Sequence, residues 1–250
     1  MNQPASQMDI RYRPFIGHAS NMIQGFRCQP FIRDHEGREF GIETVLGHRG
    51  NIENTAERNA AVLSVAFKTL ARAIGQKQSM LLIVPVNSIA LASRDGATTI
   101  CRAFDQLPEA CKSAVIVEVF NLPKRISVDS LGDITIPMLL YVSKFLAAPH
   151  PETEDYTIFA NLNYVGLTHS YSNAAKTAED RKKLLTRFWS ETTKARLKLC
   201  VSDIGDFEII EQARRYEALA MDGVAIGLAS EQLGPVTAIE KWADVVVRHE

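Results

Sequence analysis

Hydrophobic and polar positions along the chain change period several times. Runs of strand-like composition at Met22 to Ile32 and Glu39 to Leu46 flank the turn Asp34-His35-Glu36-Gly37, a pattern that predicts a hairpin. Beyond it, Val62, Val65, Ala66, Leu70 and Ile74 recur at helical spacing. They predict a long amphipathic helix, capped by Asn54 or Thr55 and ended by Gly75.

Strand-like and helix-like segments then alternate. Met80 to Val86 is a continuous apolar run between polar flanks, as in a parallel strand buried on both faces. A helix is expected over Ala97 to Leu107 and a strand over Ala114 to Phe120. Pro137 suits the first turn of a helix running to Ala147. One or two strands are expected within Tyr156 to Thr168. Thr177-Ala178-Glu179-Asp180 resembles a capping box ahead of a helix reaching Ala195, and Leu197 to Asp203 reads as the next strand. Asp206 is placed to cap a helix through Leu219, and Gly223 to Ile226 and Val245 to Val247 close the series. Gly223 and Gly227 suit tight backbone turns. A hairpin followed by repeated β-α units is compatible with a closed TIM-barrel-like (β/α) barrel or with an open doubly wound sheet.

Composition narrows the setting. The 250 residues are 46% apolar and 23% charged with a net charge of −1, so one ordinary globular domain is expected. Residues 1–10 read as a flexible N-terminus and 11–250 as the domain, with no linker or internal repeat. The charge balance predicts no binding of a nucleic acid polymer, and Arg181, Lys182 and Lys183 read as the solvated face of a helix. Cys28, Cys101, Cys111 and Cys200 form no C-x-x-C pair, which disfavours zinc and fits a reducing, cytoplasmic setting. The polar start lacks a signal-peptide core, and the longest apolar runs are too short for membrane insertion. The six histidines form no triad pattern, and no Gly-rich phosphate loop is present.

Three stretches carry a more specific signal. Leu82-Ile83-Val84-Pro85-Val86-Asn87 is an apolar strand ending in asparagine, Val115-Ile116-Val117-Glu118-Val119-Phe120-Asn121 holds one glutamate, and Cys200-Val201-Ser202-Asp203-Ile204-Gly205-Asp206 precedes a helix and Met221 to Gly227. In this order they resemble the EAL family, whose members hydrolyse or bind cyclic di-GMP. The resemblance implies a (β/α) barrel of EAL type with N-terminal antiparallel strands. Asn87 matches the family's metal-binding asparagine, although Ile89 replaces the serine of N-x-S. Glu118 matches the first glutamate of E-x-x-E, and Asn121 replaces the second. Asp203 and Asp206 stand where A-E-G-V-E has glutamates, and Ala225 replaces the glutamine before the late glycine.

The naming motif has two frames. One pairs Gln29-Pro30 with Q-P and Glu43-Thr44-Val45 with E-A-L. The other starts at Arg13-Pro14 and puts Arg27-Cys28-Gln29 at E-A-L; it suits the fold better and loses the glutamate. The D-D-F-G region corresponds to Phe159 to Asn163 and the K-x-D lysine to Gly166.

Hydrolysis by two adjacent cations needs several carboxylates, and a lysine helps orient the nucleophile. The candidates here are Asn87, Glu118, Asp203 and the rival Glu43, with the aspartate pair and the lysine missing. The ordinary alternatives are Glu118 satisfied by backbone donors or an arginine, Asn87 as a turn residue and Asp206 as a helix cap. The resemblance therefore implies a degenerate module without catalytic residues or cofactor, regulating through a protein partner or homodimer. A cyclic di-GMP sensor, a phosphodiesterase with a rearranged site and an unrelated barrel enzyme are the alternatives. A sensor would need arginines near strand ends, with Arg27, Arg33 and Arg94 as candidates.

Overall fold

The computed structural model describes residues 8–47, 52–171 and 177–239. Its strands are β1 (Met8–Ile16), β2 (Ile23–Arg33), β3 (Glu39–Phe40), β4 (Leu81–Asn87), β5 (Val115–Phe120), β6 (Phe145–Ala147), β7 (Tyr164–Ser170), β8 (Lys198–Ser202) and β9 (Ala220–Asp222). The helices are α1 (Ile42–Val45), α2 (Ile52–Gly75), α3 (Ser88–Leu91), α4 (Arg94–Asp105), α5 (Glu109–Lys112), α6 (Val128–Thr135), α7 (Thr157–Ala160), α8 (Ala178–Lys194) and α9 (Phe207–Arg215). A 3-10 turn, Ile136–Met138, follows α6.

The sheet order β1-β9-β8-β7-β6-β5-β4-β2 is closed by pairing of β1 with β2, so eight strands form a barrel and β3 is a short flap on β2. β2 and β4 to β9 run parallel, and β1 is antiparallel to both its neighbours. The closed ring settles the choice between barrel and open sheet. No helix among the described residues is long and apolar enough to cross a membrane.

Alternation along each strand divides the core in two. Leu82, Val84, Val86, Val115, Val117 and Val119 face the surrounding helices, while Phe15, Ile83, Ile116, Leu146, Cys200 and Ala220 fill the lumen. Burial on both faces is why β4 and β5 read as unbroken apolar runs. α2 covers the wall with Val62, Leu63, Ala66, Phe67 and Leu70, each at most 1% exposed.

Several elements differ from the sequence expectation. β1 begins at Met8, so residues 8–10 belong to a strand rather than a flexible end. The long hairpin is β1–β2; the expected one survives only as β2 pairing with the two-residue β3, because Ile42–Val45 turns helical. α2 starts at Ile52, which places Asn54 and Thr55 inside its first turn, and Val65 is 46% exposed beside its buried stripe. Pro137 sits in the 3-10 turn, and the expected helix to Ala147 ends in strand β6. α7 occupies part of Tyr156 to Thr168, leaving one strand there. The strand expected at Gly223 to Ile226 is Ala220–Asp222, with Gly223 turning at φ 153° against the Ile204 backbone. Val245 to Val247 lie outside the described residues. The caps at Thr177 and Asp206 form as expected, each side chain accepting a helical N–H.

Candidate functional site in the barrel lumen and mouth

Above the apolar lumen plug, a guanidinium lies among carboxylates. Arg27 from β2 is 6% exposed, Glu118 from β5 is 8% and Asp222 from β9 is 0%. Arg27 donates from Nε to Asp222 Oδ2 at 2.7 Å and from Nη1 to Glu118 Oε2. Thr168 of β7 donates its hydroxyl to the other oxygen of Glu118. Glu118 is thus satisfied by an arginine, one of the two ordinary readings of a lone glutamate in an apolar strand.

Burial opposes a charge on Arg27, but the attraction of Asp222 and Glu118 outweighs it and holds the guanidinium protonated. Burial pushes the Asp222 carboxyl up, against the pull of Arg27. Arg27 Nη2 and Asp222 Oδ1 have no hydrogen-bond partner among the described residues.

A second pair lies nearer the rim. Arg13 Nη1 donates to Asp203 Oδ1 at 2.9 Å, and Ser170 Oγ donates to Asp203 Oδ2 at 2.8 Å. Asp203 and Asn121 follow strand ends at φ 58° each, in the left-handed region that Asp and Asn tolerate better than most residues.

Asn87 points its chemistry elsewhere. Its Oδ1 accepts the Ile89 N–H at 2.9 Å, capping α3, and its amide donates to the Leu46 carbonyl. Its backbone N–H donates to Asn59 Oδ1 at 2.8 Å, while Asn59 Nδ2 reaches the Pro85 carbonyl at 2.9 Å. Glu43 is exposed on α1 and lines the mouth cavity rather than joining Glu118. The four candidates therefore do not converge: Glu118 and Asp203 sit in separate arginine pairs, Asn87 joins backbone segments and Glu43 stands at the rim.

The two-metal centre that the EAL resemblance implies does not fit these donors. Both oxygens of Glu118 are engaged, Asn87 is committed to backbone groups, and a fixed positive charge adjoins Glu118. A divalent cation beside that guanidinium would be repelled. Among the described residues no group of three or more His, Cys, Asp or Glu is arranged to hold a metal ion. At Gly166, a Cβ would lie 2.5 Å from the Lys198 carbonyl oxygen, so no lysine fits there. Phe159 to Asn163 lie in α7 and the turn preceding β7, so they do not stand at the mouth end of a strand.

A cavity of about 530 Å³ opens at the mouth. Among the described residues, three carboxylates, Glu43, Glu154 and Glu191, line it against one guanidinium, Arg187. His169 of β7 also lines it, its ring 4.8 Å from that of Phe188 and its Nε2 buried without a hydrogen-bond partner. Burial pushes the His169 pKa down to about 4. This folded value lies below the unfolded one, so the unfolded chain takes up the proton first as pH falls. His169 therefore contributes stability above about pH 6.5, lost progressively towards pH 4. With partial solvent screening the loss is roughly 2 kcal/mol. Urea unfolding between pH 7.5 and pH 4 should show His169→Phe losing less stability than the parent chain; equal losses would contradict this.

Sequence reasoning missed Arg13, Thr168, Ser170 and Asp222 as lumen partners. The available signal was polar residues inside apolar strands, as in Gly25-Phe26-Arg27-Cys28 and Ala220-Met221-Asp222.

No protein-family model matches the chain, and no curated protein does. Solved structures do. The PaMucR phosphodiesterase in complex with c-di-GMP superposes with a TM-score of 0.74 at 12% identity, covering 89% of this chain and 92% of that one. An EAL domain protein from Listeria monocytogenes gives 0.64 at 12% identity, covering 89% and 88%. The Bacillus subtilis YkuI protein, with an EAL domain and in complex with c-di-GMP and calcium, gives 0.69 at 12% identity, covering 96% of this chain and 58% of that one. At such low identity the likeness is one of architecture, and the architecture of this chain is the barrel of EAL domains.

Proposed function

We propose that this chain is a non-catalytic EAL-fold module that acts in signalling through contact with a protein partner or a second copy of itself. The observation that carries this reading is Arg27. Its guanidinium is held in the lumen by Glu118 and Asp222, which a metal-dependent phosphodiesterase would need free for cations. Asp203 is engaged by Arg13 in the same way.

A cyclic di-GMP sensor is the second reading, favoured by structural neighbours solved with that nucleotide. Among the described residues, the candidate arginines are not free to hold two phosphates. Arg27 is internally paired, Arg33 is bound to Glu39, and Arg94 lines a cavity beside α4 and the 3-10 turn. At the mouth, Arg187 faces three carboxylates. Like charges at close range disfavour a dianion.

Calorimetric titration with cyclic di-GMP, with and without manganese, separates the readings. No binding tighter than about 10 μM is expected in either condition. Metal-independent binding tighter than about 10 μM would replace this reading with a sensor. Binding that requires manganese would overturn it in favour of a hydrolase.

A further inference from the structure

A cavity of about 420 Å³ lies on the face of the barrel opposite the mouth. Its walls come from the C-terminal ends of α8 and α9 and the first residues of β8, the end at which parallel strands begin. Among the described residues, Arg196, Lys198 and Arg215 line it against a single carboxylate, Glu217. None of these three cations makes a side-chain ion pair or hydrogen bond among the described residues, whereas neighbouring Lys194 is tied to Glu191.

Beside the cations stands an aromatic platform. Trp189 and Tyr216 stack with ring centres 4.4 Å apart and planes 7° from parallel, and both line the cavity. The Tyr216 hydroxyl is fixed by Thr186 Oγ1 at 2.8 Å and Gln212 Nε2 at 3.1 Å. Such a platform accepts another planar ring on an outer face, and unpaired arginine and lysine side chains bind phosphate oxygens.

Helix dipoles give one reason for cations at helix C-termini, but they do not account for the aromatic pair. Arg196 ends α8 in the left-handed cap at φ 59°, its N–H donating to the Thr193 carbonyl at 2.9 Å and the Leu197 N–H to the Thr192 carbonyl at 3.0 Å, as helix ends at Lys77 and Glu217 also turn left-handed.

We infer that the cavity bounded by Trp189, Tyr216, Arg196, Lys198 and Arg215 binds a nucleoside phosphate, with the base on the aromatic platform and the phosphates on the three cations. The cavity size suits one nucleotide, and the near-neutral chain lacks the extended basic surface that a nucleic acid strand requires. The inference is independent of the reading given for the mouth.

The test uses intrinsic fluorescence. The sequence holds two tryptophans, so Trp242→Phe leaves Trp189 as the only indole. ATP titrated into that protein is expected to quench its emission saturably, with a Kd below about 1 mM. Lys198→Glu combined with Arg215→Glu should weaken binding by at least about tenfold. Arg196→Gly should also weaken binding, yet with a melting temperature no lower than its parent, because glycine relieves the left-handed position. The inference would be overturned by no saturation by about 10 mM ATP, by unchanged affinity in both variants, or by equal quenching by tripolyphosphate, which has no base. Tighter binding of a single-stranded oligonucleotide than of ATP by about 100-fold would overturn it in favour of a nucleic acid strand.

Discussion

Replacing Arg27 with methionine is expected to destabilise the fold by about 3–5 kcal/mol, since the change leaves buried carboxylates without their cation. Asp222 is wholly buried and Glu118 nearly so, and Arg27 is the ion-pair partner that each has among the described residues. Methionine approximates the length of the arginine stem, so the loss reports charge more than volume. Two consequences distinguish this from ordinary core damage. Adding Asp222→Asn and Glu118→Gln to Arg27→Met should recover much of the stability, because neutral groups tolerate the missing guanidinium. The Arg27→Met protein should also lose less relative to the parent at pH 5 than at pH 8, because protonation relieves an unpaired buried carboxylate whose pKa burial already raises. Urea unfolding of the parent, single and triple variants measures all of this. A loss below about 1 kcal/mol for Arg27→Met would mean that the lumen does not depend on its guanidinium.

The second large effect is expected at Asn87. Its side chain joins Leu46, which follows α1, to the first turn of α3, and its backbone N–H rests on buried Asn59. Asn87→Ala leaves the Leu46 carbonyl and the Ile89 N–H without these partners, a loss of about 2–4 kcal/mol. Asn87→Asp discriminates between roles. A metal ligand would tolerate the added carboxylate, whereas here it would replace the amide donor and face the Leu46 carbonyl oxygen. Unfolding midpoints should therefore fall for both variants. Near-parental stability in Asn87→Asp together with tighter manganese binding would assign Asn87 to a cation instead.

The legible parts of the fold were those in which one residue type dominates a period. β4, β5 and β8 carry apolar residues on both faces, and Thr177 and Asp206 stand where helix caps stand. β1 was not legible because its lumen face carries Arg13 and its outer face alternates Ile10 and Tyr12 with polar neighbours, so it resembles an exposed end. β6 was hidden by its three-residue length and by Pro137, which marks a 3-10 turn upstream of it.

The site was legible as positions rather than as partners. Glu118, Asp203 and Arg27 stand out as polar residues in or beside apolar strands. Their pairing crosses 91 residues between Arg27 and Glu118 and 195 between Arg27 and Asp222, distances over which periodicity carries no information. Only closure of the barrel brings β2, β5 and β9 around one lumen. The alternative E-A-L frame at Glu43 falls on exposed α1, whereas Arg27 lies on a barrel strand between β1 and β4. Asn87 illustrates a further limit. A buried asparagine at a strand end suits both a cation and a backbone turn, and only the positions of Leu46, Asn59 and Ile89 separate them.

Whether this barrel hydrolyses cyclic di-GMP is measured by incubating the purified chain with the dinucleotide and manganese, followed by chromatographic separation of cyclic and linear forms. The cyclic form is expected to persist unchanged, with Glu118→Gln indistinguishable from the parent. Manganese-dependent appearance of the linear product, abolished by Glu118→Gln, would contradict it and identify a working phosphodiesterase.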